Sequence, residues 1–155
     1  MTNNILYRYS GACSLVILHE RYLREFVETW KRAKAAGVPV PEVADPDYKS
    51  LETILHHVLR WARWYMVWIC EKLDLPDPVI GQVPPAEQIG QELDTYLEHL
   101  LDKWRAPLQD VPEEQYFSPL HTTPWNVDCC IWSILEHSIV HTIQHRFQLE
   151  RFAAE

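Results

Sequence analysis

The prolines of this sequence fall between, and never inside, four long stretches in which apolar residues recur three and four positions apart. Because a proline inside a helix removes a backbone donor and clashes with the preceding turn, this placement marks where each helix must stop. The first stretch runs from about Gly11 to Ala36, with Leu15, Leu18, Tyr22, Phe26 and Trp30 on one face. Gly37 follows at the position of a C-terminal cap, ahead of Pro39 and Pro41. Ser50 can cap a second helix, Leu51 to Leu73, whose stripe is Ile54, Val58, Trp61, Tyr65 and Trp68; Pro76 and Pro78 end it. Pro84 and Pro85 precede a third helix, Ala86 to Arg105, with Ile89, Leu93, Tyr96, Leu100 and Trp104 aligned. A loop holding Pro107, Pro112, Pro119 and Pro124 leads into a fourth, Val127 to Phe152.

Nothing alternates with a period of two for long, so the only strand expected is a short one near Tyr116. Four amphipathic helices in 155 residues predict an all-α fold, a four-helix bundle forming a single domain over residues 1–155. Connections of about 13, 12 and 20 residues are long for simple helical hairpins, so at least one is expected to cross the bundle or cover an end.

Composition narrows the function. Apolar types make up 47% of the chain and charged types 23%, which excludes intrinsic disorder. A net charge of −8 without a basic block makes the chain a poor match for nucleic acid. Only four glycines are present, and no glycine-rich phosphate loop is among them. Cys13, Cys70, Cys129 and Cys130 include no CxxC pair and read as reduced thiols of a cytoplasmic protein. Met1 to Ser10 lacks the order of a signal peptide. The most apolar run, Trp64 to Cys70, is too short to span a membrane.

Eight histidines and seven tryptophans remain to be explained. On the fourth stretch His137, His141 and His145 lie on one stripe, since four residues advance about 400° around a helix. Neighbours four apart can converge on one metal ion, but His137 and His145 are separated by about 12 Å of helix rise. A metal site therefore uses one adjacent pair, His137 with His141 or His141 with His145, and a ligand from another helix. On the second helix, at about 100° per residue, His57 lies at the edge of the apolar face and His56 on the opposite side with Arg60 and Arg63. His57 is the ligand candidate and His56 is expected in solvent. Three neutral imidazoles leave positions open for water or substrate, and zinc, nickel or ferrous iron all suit them. No Glu-x-x-His, HExxH or nucleophile-elbow pattern competes. A plain bundle with a structural row of histidines is the alternative.

The remaining candidates read as structure. Most tryptophans, Trp30, Trp61, Trp68 and Trp104 among them, are expected in the core, with Trp125 and Trp132 shaping a pocket mouth. His121 and its proline-rich loop are a candidate lid, and His19 and His99 are read as residues without chemistry. Glu87, Glu92, Asp94 and Glu98 form a solvated face.

The segment Glu136 to Leu149 resembles the fourth helix of the DinB/YfiT-like superfamily of metal-dependent bundles. Its motif of a His, three residues, then His, Arg, a small residue and Gln corresponds to His141 and His145-Arg146-Phe147-Gln148. Ser50 to Tyr65 resembles the same superfamily's second helix, with His57 at the place of the third ligand. One residue departs: Phe147 stands where the small residue is usual, and its ring is expected to alter or narrow access to the site.

The resemblance implies an up-down-down-up bundle, a homodimer, and a divalent metal held by His57, His141 and His145, with His137 beside the ligands or facing the substrate. It further implies a transferase or isomerase acting through a low-molecular-weight thiol on an electrophile, since a metal deprotonates a thiol near neutral pH. The alternative is a stress-response protein that binds metal or ligand without turnover.

Overall fold

A computed structural model describes residues 6–155 of the chain; residues 1–5, part of the Met1 to Ser10 segment discussed above, lie outside the described residues. The fold is all-α apart from a two-stranded ribbon. Four long helices carry it: α1 (Ser10–Ala35), α2 (Leu51–Lys72), α3 (Ala86–Arg105) and, after the short α4 (Glu114–Phe117), α5 (Ile131–Ala154). Strands β1 (His121–Thr122) and β2 (Asp128–Cys129) pair antiparallel between α4 and α5. The first three long helices agree with the sequence expectation to within a residue at each end.

Local chemistry sets those ends. At the end of α1, Gly37 adopts φ +64, its N–H bonds to the Lys34 carbonyl and that of Val38 reaches back to Ala33. This closes the helix in a Schellman motif, at a position where a residue without a Cβ is unstrained. Ser50 starts α2 in a reciprocal capping box with Thr53. Asp74, at φ +54, ends it ahead of Pro76, with Leu75 N–H bonded to the Cys70 carbonyl.

Two expectations need correction. The fourth long helix starts at Ile131, not Val127, because Thr123 brackets Val127: its N–H and hydroxyl both donate to the Val127 carbonyl at 2.9 Å. With Asn126 in the left-handed region, residues 123–127 make the turn that joins β1 to β2. Tyr116 is not in a strand. It lies in α4 as a fully buried ring whose hydroxyl donates to the Leu108 carbonyl, and an isolated strand there would have no partner for its backbone.

α1 packs along α5, and α2 lies against both α3 and α5. Their inward stripes meet in one core that includes Leu23, Phe26, Ile54, Leu59, Met66, Leu100 and Trp104, with Ile134 and Leu149 from α5. Each such side chain contributes about 1.5–3 kcal/mol by leaving water. Buried indoles also bond outward, Trp30 to the Leu51 carbonyl and Trp104 to that of Ala62, which fixes α1 and α3 against α2. Glu87, Glu92, Asp94 and Glu98 on α3 are exposed, with Glu98 paired to Arg24 and Asp94 to Lys31. All four cysteines are free, and among the described residues no helix is long and apolar enough to cross a membrane.

Candidate metal centre

The packing of α2 against α5 brings His57 to the middle of the α5 stripe. The Nε2 atoms of His57 and His141 are 3.1 Å apart, and those of His145 and His141 3.2 Å. Ligand nitrogens around a four-coordinate ion with bonds of about 2.0–2.1 Å lie about 3.3 Å from one another. His57, His141 and His145 thus form a group positioned to hold a metal ion, with His57 and His145 each 7% exposed and His141 half-buried.

The outer ring nitrogens decide what the inner ones offer. Nδ1 of His57 donates to Asp47 Oδ2 at 2.9 Å, and Arg60 holds the same oxygen at 2.9 Å. Nδ1 of His145 donates to Gln148 Oε1 at 2.8 Å. In their neutral forms these two imidazoles therefore carry the proton on Nδ1 and present bare Nε2 lone pairs to the centre. His141 can bring at most one proton to the group, so at least one pair of lone pairs faces without a hydrogen between. A cation removes that repulsion. This arrangement of imidazole, outer hydrogen bond and acceptor is how metal-binding histidines are generally oriented.

The same burial disfavours charge on His141 and His145. Desolvation, aided by the neighbouring His145 and His57, pushes His141 down to about 2, and desolvation also lowers His145 despite its bond to Gln148. Burial alone would raise the Asp47 carboxyl, but the hydrogen bond from His57 and the charge of Arg60 hold it below its usual range.

Asp47 and the neighbouring Tyr48 sit in a single 3-10 turn, Pro46–Tyr48, opened by the Asp45 side chain, which accepts the Asp47 N–H. The sequence reading missed both residues, because a three-residue turn has no periodicity. The signal available was a carboxylate shortly before a histidine proposed as a ligand, since such histidines usually have an outer acceptor. Gln148 was part of the quoted motif, but no role was seen for it.

Other candidates fall elsewhere. His137 is exposed, one turn from the group, with its ring against His141, Tyr65 and Trp125. His56 is outside the group but half-buried, where full solvation was expected. Trp125, 43% exposed on the β1–β2 turn, reaches Trp61, Trp64 and His137, so one wall beside His141 is aromatic. Trp132 is not at that mouth. It packs on Tyr9 and Phe117 instead. His121 lies against Trp68 and is not part of the three-histidine group, so in its loop it is Trp125 that approaches the site. His99 accepts the Gly81 N–H. Phe147 is 51% exposed, with its ring under the Arg146 guanidinium.

Compared with models of protein families, with curated proteins and with solved structures, the chain matches none.

Proposed function

We propose that the chain is a divalent-metal-dependent enzyme of the DinB/YfiT-like kind, an up-down-down-up four-helix bundle working as a cytoplasmic homodimer. His57, His141 and His145 hold the ion, and the reaction is transfer or isomerisation through a low-molecular-weight thiol. The observation that carries this reading is the convergence of three imidazole nitrogens, those of His57 and His145 each within hydrogen-bond distance of that of His141. Bound there, a divalent cation supplies the positive charge that lets a thiol lose its proton near neutral pH.

The chain's own residues have separate tasks. Asp47 and Gln148 fix the ring orientations of His57 and His145. Trp61, Trp125 and His137 border the centre with apolar faces and one exposed imidazole, a wall against which the electrophilic partner can lie. Exposed apolar side chains such as Ile17, Leu120 and Val127 are the kind of surface that a homodimer would cover.

The test is metal analysis of protein purified without a histidine tag, followed by turnover assays pairing thiols with electrophiles. We expect about one zinc, nickel or iron per chain and metal-dependent consumption of thiol. Metal without turnover would favour a binding protein, and absence of metal would leave a structural histidine row. A monomeric mass by light scattering at micromolar concentration would refute the dimer.

A further inference from the structure

The turn ahead of α2 holds both ends of one imidazole. Asp47 takes the Nδ1–H of His57 at 2.9 Å, while the hydroxyl of the next residue, Tyr48, lies 3.5 Å from its Nε2. That distance is at the outer edge of hydrogen bonding, and the hydroxyl makes no other hydrogen bond among the described residues. The Tyr48 ring is also tilted against His145, with centroids 5.6 Å apart, so the phenol stands beside both rings whose bare nitrogens face the centre. Donor atoms of one coordination shell are neighbours at about 3–3.5 Å. The contact from Tyr48 oxygen to His57 continues the 3.1 and 3.2 Å series made by the imidazoles.

Resting on the metal reading above, we infer that the Tyr48 phenol oxygen is a fourth protein donor of this centre, giving three nitrogens and one oxygen around a divalent cation and leaving the thiol a further position in a five-coordinate shell. On binding, the O–H proton passes to solvent and the phenolate oxygen forms the bond. The turn is pinned through Asp45 and through the Asp47 contacts to His57 and Arg60, so the phenol is presented by a fixed element. A set of imidazoles and one hard oxygen, with no thiolate, suits zinc, copper or iron.

Copper(II) is the probe, because phenolate bound to it absorbs in the visible by charge transfer and three imidazoles alone do not. One equivalent added to metal-free full-length protein should give that band, with tyrosinate vibrations when Raman scattering is excited within it. Tyr48→Phe, which keeps the ring, should bind the same equivalent without the band and lose about tenfold in zinc affinity by chelator competition. Copper bound by the unaltered protein without the band, or a band that survives Tyr48→Phe, overturns the inference and leaves the three-histidine centre standing. Failure to bind either copper or zinc overturns the metal reading and this inference together. The Raman measurement needs only the unaltered protein, so the test holds even where the variant fails to fold.

Discussion

Two buried imidazole settings occur in this molecule, and they differ in what surrounds the ring. His57 and His145 each give the Nδ1 proton to an acceptor and turn a bare nitrogen toward a shared point. His19, on α1, is 1% exposed, stacked on Trp104 with centroids 3.6 Å apart, and neither of its nitrogens has a partner among the described residues. Desolvation alone pushes it down to about 3. Burial lowers His19 and His145 alike, but only the setting with outer acceptors fixes the tautomer and aims lone pairs together. The groups behind a buried imidazole therefore decide whether its lone pair is positioned to meet a metal ion.

The largest effect is expected at His57, His141 and His145. His57→Ala, His141→Ala or His145→Ala should each lower zinc affinity by more than about 100-fold, because one of three protein nitrogens is gone. His19→Ala, His56→Ala and His137→Ala should keep their metal, with His137→Ala altered only in turnover. If His137→Ala emerged metal-free while His145→Ala stayed loaded, the ligand pair would be wrong by one helical turn.

A smaller effect tests the acceptors. Asp47→Asn keeps the size of the side chain but removes the charge behind His57, and zinc affinity should fall about 10–100-fold. Equal affinity in isothermal titration would mean that the outer bond does not orient the ring.

Acid should expose both settings together. His141 at about 2 and His19 at about 3 stay neutral in the folded apo protein, while in the unfolded chain each takes a proton near 6.5. Their contribution is thus complete above about pH 6.5 and is lost as pH falls toward 3, by up to about 1.4 kcal/mol per pH unit for each group. Urea unfolding of the metal-free protein from pH 7.5 to 4 should show this decline, and saturating zinc should oppose it by binding only the folded state. A flat profile would contradict the assigned burial.

The smallest effect concerns His19 alone. His19→Leu removes two unpartnered polar atoms from the core and should raise stability by about 1 kcal/mol at pH 7, while shallowing the acid decline. A large loss in urea midpoint would show that the imidazole has a partner after all.

Much of this was legible in the sequence because its causes are local. Leu51 to Trp68 alternates by three and four, and Ser50 and Thr53 stand ready as a capping box; neither depends on distant residues. The histidine stripe on α5 and the position of His57 follow from helical period in the same way. Tyr116 and the start of α5 were misread because both are settled by partners elsewhere: the Leu108 carbonyl in one case, the Thr123–Val127 turn in the other. Trp125 and Trp132 look alike in sequence, yet one faces His137 and the other Tyr9.

The first three long helices were settled locally, since spacing, caps and prolines act within a few residues of one another. So was the set of histidines that share a face, because 3.6 residues per turn leaves little choice. Only the tertiary structure decided that His57 meets His141 at 3.1 Å, because that distance depends on how α2 seats against α5. It alone decided that Asp47 and Tyr48, from a turn without periodic pattern, close on the same imidazole. Hydrogen-bond partners far apart along the chain are chosen by packing, and packing is a property of the whole core.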